Sequence, residues 1–491
     1  MLNLFASSWD FSLENYQDVW HILVQIGIIL IALFIGNTLR NIIPFLKKSF
    51  VPSALIGGLL LLIIDYICKL CGAGSAPGSV GFIDQRIMQV ITYHALGIGF
   101  IAMTLKSEKT KNKVGNIKVV ENGALTGGAY MLQAFVGLLI TILLFVFTKD
   151  SSNPIYYSSG LLLPLSYGQG PGNALTWDIN FSNILVEGEK AFTANGSFGL
   201  TLASLGFIVA SLFGVLYINI FKKKGLIKVR DYNENNTRSV DEFESANEIP
   251  DSESIDKFSV QLGFVCLGYA LSFGFMALLG SLSEFTNNIA WGFNFIWGVI
   301  FATLIKIVLN KLNKKKVVKR KYINNYQMDR ISGFAFDLMI VAGVAAIEIK
   351  DVERYILPLI ILAVVGAIIT VIYVRAVTKH CFKGYEHEMF VTNFGTLTGT
   401  ASNGMILLKE IDPNFVTPAS NLFVLSQFPA MLMVAPLLLL LSFASKSFTN
   451  AIIAMAIFFV LFISYTFFLF RRKIFKKKYQ DKNEIEWVES K

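Results

Sequence analysis

The chain has 491 residues, of which 54% are hydrophobic and 16% are charged, and its formal net charge is +9 at pH 7. The apolar content exceeds what a soluble core of this length uses, which argues against a soluble globular protein. The positive charge does not indicate nucleic-acid binding, because the basic residues form short clusters between apolar segments, where membrane topology explains them.

The N-terminal segment, residues 1–19, is acidic and aromatic and lacks the basic start of a cleavable signal peptide. Beyond it, apolar stretches of about 20 residues, long enough to cross the hydrocarbon core as helices, recur along the chain. We predict eleven full spans, at 20–40, 51–70, 87–105, 122–148, 197–221, 258–282, 289–310, 331–349, 354–377, 418–443 and 450–470.

Two other hydrophobic stretches, about 156–194 and 384–411, are broken by glycine, proline and asparagine. Broken backbone at membrane depth is tolerated only inside protein or beside a water-filled cavity. We therefore interpret each stretch as a re-entrant hairpin. With the N-terminus outside, this topology places 34 of the 43 lysines and arginines on the cytoplasmic side, together with the C-terminus. A simple span in place of either hairpin would destroy that bias.

The polar segment 222–257 reads as a cytoplasmic linker and divides the chain into two similar halves. Each half, 1–221 and 258–443, has four spans, a broken hairpin and a fifth span, in opposite orientations. The predicted fold is therefore an all-α polytopic membrane protein with two inverted-topology repeats. Residues 444–491 add one extra span and a basic cytoplasmic tail.

The broken stretches are the best candidates for a binding site. The first contains LSYGQGPGNALTW, residues 165–177, and the second contains TNFGTLTGTASNGMILL, residues 392–408. Unwound carbonyls and hydroxyls such as that of Ser166 can coordinate Na⁺, and helix N-terminal amides can hold a carboxylate. One alternative is that small residues merely let helices pack closely. A phosphate loop at GQGPG is disfavoured, because its lysine and its strand are missing.

Two ionisable residues lie near the middle of spans, His94 and Asp337. A carboxylate at the centre of a helix costs roughly 2.5 to 3.5 kcal/mol on insertion, so we expect Asp337 to face a cavity, a partner or an ion. Asp337 could bind Na⁺ or control access to the hairpins. The alternative, which we rate equally, is a structural hydrogen bond between two helices. For His94 a structural role is favoured. The cysteines of the CKLC motif are also interpreted as structural.

Four motifs together resemble the sodium/glutamate symporters of bacteria. They are FLKKSFVPSALIGGLL (45–60), YHALGIGFIAMTLK (93–106), LSYGQGPGNA and NFGTLTGTASNGM, and the resemblance extends over about residues 20–445. It implies a homodimer in the bacterial inner membrane that transports glutamate with Na⁺ by an elevator-like motion. No other cofactor is implied.

The resemblance also implies two sets of substrate and ion residues, one in each hairpin. They are Ser166, Gln169, Gly170, Gly172 and Asn173, and Thr398, Gly399, Thr400, Ser402 and Asn403. Ser166, Asp337 and Thr398 are the candidates for Na⁺ ligands, and Asp337 and His94 those for coupling. The chain departs from the family's GHGTG pattern at Gln169 and Pro171. These positions lie in the binding motif, so the departures bear on the identity of the substrate more than on the fold.

The alternative to glutamate is another small carboxylate or amino acid, with Na⁺ or H⁺ as the coupling ion. A passive channel is less favoured, because it would need a continuous polar lining and could not concentrate a solute. An enzyme is disfavoured too, since no nucleophile, metal cluster or carboxylate pair stands out among the few intramembrane ionisable residues. No ATP-binding motif accompanies the spans, so uphill transport would depend on an ion gradient.

Overall fold

The structure is a computed structural model. It describes residues 13–72, 82–106, 115–149, 155–186, 189–190, 192–227, 256–317, 320–412 and 417–475. Most of the predicted linker, the start of the N-terminal segment and the end of the basic tail lie outside these residues.

Helices make up nearly all of the described chain. In the first half they are α1 (Leu13–Ile42), α2 (Pro44–Lys48), α3 (Ser53–Leu70), α4 (Gln85–Leu105), α5 (Asn116–Thr148), α6 (Leu162–Gln169), α7 (Pro171–Ser182) and α8 (Ser197–Lys223). A short 3₁₀ helix (Ser159–Leu161) precedes α6, and two antiparallel two-residue strands, β1 (Leu185–Val186) and β2 (Glu189–Lys190), follow α7.

The second half continues in the same way. Its helices are α9 (Lys257–Gly280), α10 (Glu284–Gly292), α11 (Asn294–Lys314), α12 (Asn325–Ala345), α13 (Ile349–Glu353), α14 (Ile356–Cys381), α15 (Glu386–Thr398), α16 (Ala401–Ile411), α17 (Ala419–Leu425), α18 (Gln427–Ala444) and α19 (Phe448–Ile474).

Ten helices in the described residues are long and apolar enough to cross a membrane, which makes this a multi-pass membrane protein. They are α1, α3, α4, α5, α8, α9, α11, α14, α18 and α19. The eighth predicted span corresponds to α12, which is long enough but is not among the ten. This helix carries Asp329, Arg330 and Asp337, which lower its apolar character. The tenth predicted span is interrupted at Ser426, between α17 and α18.

The two halves pack through corresponding helices. Counting only helices of 18 residues or more, the third of each half, α4 and α12, lie against one another, and so do the fourth, α5 and α14. Exchanging the halves reproduces further contacts: α3 packs on α12 as α11 packs on α4, and α5 packs on α6 as α14 packs on α15. The extra helix, α19, packs mainly along α5.

One end of the molecule, named the Glu121 end, is rich in ion pairs. Glu121 is buried near the start of α5 and pairs with Arg471 at 2.9 Å and Arg472 at 3.0 Å, both near the end of α19. The other ion pairs at this end are Lys106 with Asp329, Lys118 with Glu121, and Lys222 with Glu410. Arg375 also donates a hydrogen bond to Nδ1 of His387 here, at 3.1 Å. The start of α15 and the end of α16 therefore both lie at the Glu121 end.

The opposite end, named the Glu348 end, joins the other termini of the same helices. Glu348 accepts from Lys69 at the end of α3 and from Gln85 at the start of α4. The hydroxyls of Tyr156 and Ser158 donate to the carbonyls of Ser445 and Ala444, respectively. Beyond α7, Asn195 donates to Asp351 and Thr193 contacts Tyr355. The stretch 156–194 therefore begins and ends at the Glu348 end.

Candidate substrate and ion site

The first break separates α6 from α7 at Gly170. Its φ of +80° and ψ of −172° belong to a region that essentially only glycine enters. Pro171 then occupies the first position of α7, where its missing N–H costs the helix nothing. The carbonyl of Gly170 accepts from the amide of Ala174 at 3.3 Å, so α7 begins immediately after the break.

The second break separates α15 from α16 at Gly399 and Thr400. The amide of Gly399 closes the last turn of α15 on Gly395, and Thr400 is fully extended before α16 begins. The two helices fold back on one another with close backbone contact. A Cβ added to Gly404 would lie 2.4 Å from the carbonyl oxygen of Thr392, so only glycine permits this approach.

The two breaks meet inside the protein. A Cβ added to Gly170 would lie 3.0 Å from Cγ2 of Thr400 and 3.6 Å from the terminal methyl of Met339 in α12. Because Gly170 and Thr400 each precede a helix, the N-termini of α7 and α16 converge at this contact. The first amides of a helix have no partner within it, and its N-terminal dipole favours negative charge. The arrangement therefore suits a small anion.

Three side chains beside the breaks keep an unpaired polar atom. Asn173 Oδ1, Thr400 Oγ1 and Asn403 Nδ2 are buried atoms without a hydrogen-bond partner among the described residues. Asn173 is 1% exposed and Asn403 5%. An unpaired buried polar group costs about 1 to 3 kcal/mol, so atoms of this kind mark a place where a ligand would supply the missing bond.

Ser166 and Thr398 occupy corresponding places, in the last turn before each break. Both are fully buried, and their hydroxyls donate to backbone carbonyls, of Gly199 at 3.1 Å and of Phe394 at 2.7 Å, respectively. A hydroxyl that donates its proton keeps its oxygen lone pairs for a cation. Ser166 and Thr398 are therefore suited to bind Na⁺ beside the unwound carbonyls, as Na⁺ sites in transporters do.

Helix α5 supports both breaks through residues that the sequence analysis did not single out. Tyr130 hydrogen-bonds Gln169, and its ring fills the space beside Gly168. The amide of Gln133 donates to the carbonyl of Leu397 at 3.0 Å and to Thr370 at 2.8 Å. The signal was present in the sequence, because Gln133 is an uncharged polar residue in the middle of an apolar span.

The other predicted site residues are more scattered. Gln169 accepts from Asn173 at 2.7 Å, and Gly172 packs against Leu96 of α4. Ser402 is exposed and does not join the buried polar atoms at the breaks. Gly399 packs against Asn403 and Ala210.

The two ionisable candidates do not contact the breaks. Asp337 is half-buried and makes no hydrogen bond or ion pair with any residue that the structure describes. It lies one helical half-turn from Met339, which does reach Gly170. The Nδ1 atom of His94 lies 2.5 Å from the hydroxyl of Tyr269 in α9, a helix–helix contact away from the breaks.

Asp178 is a further buried carboxylate that the sequence analysis missed. It lies in α7, is fully buried, and accepts from the amides of Gly196 at 3.0 Å and Gly199 at 2.7 Å. These amides belong to the first turn of α8, so the carboxylate caps that helix from a neighbouring element. Asp178 therefore fixes the first broken pair to the helix that follows it.

In comparisons with known proteins, no family model and no curated protein matches the chain. Within the described residues, no group of three or more histidine, cysteine, aspartate or glutamate side chains is arranged to hold a metal ion.

Proposed function

We propose that the protein is a secondary transporter that couples Na⁺ entry to the uptake of a small carboxylate, with glutamate as the first candidate. The observation that carries this proposal is the contact between the two helix breaks at Gly170 and Thr400. Two converging helix N-termini attract the carboxylate, and the unpaired Nδ2 of Asn403 donates a hydrogen bond to it. The unpaired Oδ1 of Asn173 accepts from a donor of the substrate, such as the ammonium group of glutamate. Na⁺ binds among Ser166, Thr398 and the unwound carbonyls, with Asp337 as a further candidate ligand.

The chain in this proposal is an inverted repeat in which each broken pair of helices is a re-entrant hairpin. Two sets of contacts support this. The first stretch begins and ends at the Glu348 end, and the second begins and ends at the Glu121 end. The helices of the two halves also pack in corresponding pairs, as an inverted repeat requires.

The proposed membrane orientation follows from charge. The predicted cytoplasmic segments supply Lys106, Lys118, Lys222, Arg375 and Arg471, and all of them lie at the Glu121 end. This end faces the cytoplasm and the N-terminus lies outside. The proposed location is the bacterial inner membrane, and the proposed assembly is a homodimer in which one part moves relative to the other.

In the second candidate function, the transport mechanism is the same, but the transported solute or the coupling ion differs. Gln169 and Pro171 lie at the first break, where they alter the donors available to a substrate. Asp337 is a carboxylate inside α12 without a hydrogen bond or ion pair to any described residue, which favours H⁺ as an alternative coupling ion. The cargo would then be another small carboxylate or an amino acid.

The deciding experiment is uptake of labelled glutamate into proteoliposomes that contain the purified protein. We expect accumulation with an inward Na⁺ gradient and its loss when the gradient is collapsed. An inward H⁺ gradient at equal Na⁺ serves as the comparison. Accumulation driven by H⁺ alone would support the second candidate, and no accumulation by folded protein would reject glutamate as the cargo.

The site itself is tested by removing its unpaired amides. We expect Asn173→Ala and Asn403→Ala to lower uptake by at least about tenfold, because each substitution removes a hydrogen bond to the substrate. Asn183→Ala is the matched control, since Asn183 follows the same helix as Asn173 but is exposed at its far end. Equal uptake by all three variants would place the substrate elsewhere.

A further inference from the structure

Phe50 lies in the short connection between α2 and α3 and has an unusual backbone. Its φ is +55°, in the left-handed region that bulky residues avoid. Such strain persists only where the surrounding structure imposes it, and it clusters at functional sites. The residues on either side, Ser49 and Val51, are both buried, which fixes the position of Phe50.

Phe50 forms one wall of a narrow crevice that reaches the second break. The opposite wall comes from two helices: Ala210 and Ser211 of α8, and Asn403, Ile406 and Leu407 of α16. The space between these walls is too narrow to admit a water molecule. Because Asn403 also lies at the candidate site, the crevice leads from the site toward Phe50.

The crevice lies on the side of the site that faces the Glu121 end. Helix α16 runs from Asn403 to Glu410, and α8 runs from Ser211 to Lys222. Glu410 and Lys222 form the ion pair at the Glu121 end, so both helices extend from the crevice to that end. In the proposed topology, the crevice is the closed route between the substrate and the cytoplasm.

The two walls are held by different close contacts, and α3 also packs on α12, where a Cβ on Gly58 would lie 2.7 Å from Val344. The Phe50 connection leads directly into α3, whose backbone is in close contact with α1: a Cβ on Gly57 would lie 2.5 Å from the carbonyl oxygen of Ala32. The opposite wall is held together by α8 and α16, where a Cβ on Gly214 would lie 2.5 Å from Leu407. A relative displacement of the two walls would draw Phe50 away and widen the crevice.

We propose that Phe50 is the cytoplasmic gate of the transport pathway, a role that rests on the proposed function. Its ring closes the crevice beside Asn403 in the present conformation. Movement of α1 and α3 relative to α8 and α16 opens the crevice and lets the substrate leave.

Thiol accessibility tests the gate without knowledge of the cargo. The probe is Ile406→Cys, in a chain whose free cysteines, Cys68, Cys71, Cys266 and Cys381, are replaced by serine. A membrane-impermeant maleimide is applied to inside-out and to right-side-out vesicles. We expect Phe50→Ala to raise the labelling rate of the probe about tenfold in inside-out vesicles only, because the crevice loses its apolar wall.

Phe45→Ala is the matched control, because Phe45 lies in the adjacent helix α2 but is 67% exposed. The gate would be overturned if the labelling rate rose equally in this control, if it did not rise in Phe50→Ala, or if it rose in right-side-out vesicles. If Phe50→Ala does not fold, Phe50→Leu replaces it, with a smaller rise in labelling rate expected.

Glutamate uptake separates the gate from the proposed cargo. Failed glutamate uptake with increased labelling would reject glutamate as the cargo but keep the gate. Intact uptake with unchanged labelling would reject the gate alone.

Discussion

At the scale of single residues, the first break depends on Gly170. Its backbone conformation is open essentially only to glycine, and any side chain would also press against Thr400. The residue therefore both ends α6 and allows the two breaks to touch. Asn173 and Asn403, which keep unpaired polar atoms, each lie three residues after one of the two residues in contact, Gly170 and Thr400.

We predict that Gly170→Ala lowers uptake strongly and reduces stability by about 1 to 3 kcal/mol, the usual cost of a strained backbone position. Uptake and thermal unfolding in detergent measure the two effects. Gly263→Ala is the control, because Gly263 lies in α9 with no neighbouring atom within 4 Å of an added Cβ. Similar behaviour of the two variants would show that the Gly170 conformation does not matter.

At the scale of elements, each broken stretch could be located from the sequence, because its cause is local. Clustered glycine and proline, as in GQGPG, disfavour a continuous helix, and hydropathy still identifies the segment as membrane-embedded. The capping of α8 by Asp178 could not be predicted, since the carboxylate and the amides come from separate elements. Helix α12 corresponds to the predicted span 331–349, and Asp329, Arg330 and Asp337 make it less apolar than the ten candidate membrane helices among the described residues.

Asp178→Asn should destabilise the protein by about 1 to 3 kcal/mol, because the cap loses its negative charge and one of its acceptor positions. The measurement is again the midpoint of thermal unfolding. Asp256→Asn is the matched control, since Asp256 caps α9 at an exposed position, where asparagine caps about as well as aspartate. A loss of the same size in the control would mean that burial of Asp178 contributes nothing.

At the scale of the whole molecule, Glu121 fastens the extra helix α19 to the rest of the protein. Its carboxylate is 1% exposed and lies within 3.6 Å of Lys118 and within 3.0 Å of Arg471 and Arg472. Helix α5 in turn contacts both breaks through Tyr130 and Gln133. The extra helix therefore supports the helix against which the candidate site is built.

We predict that Glu121→Gln costs about 3 to 5 kcal/mol, since it leaves the buried Lys118 and the partly buried Arg471 and Arg472 without their counter-charge. Glu410→Gln serves as the control, because the Lys222–Glu410 pair is partly exposed and should contribute no more than about 1 kcal/mol. Thermal unfolding of both variants gives the comparison. A larger effect at Glu410 would contradict the role assigned to Glu121.

The membrane class, most span positions and the two broken stretches could be predicted from the amino-acid sequence, because hydropathy, helix-breaking residues and charge bias are properties of neighbouring residues. The contact between Gly170 and Thr400, the support of the breaks by Tyr130 and Gln133, and the crevice that Phe50 and Asn403 line together could not be predicted in this way. These contacts join residues far apart in the chain, and packing between helices selects them.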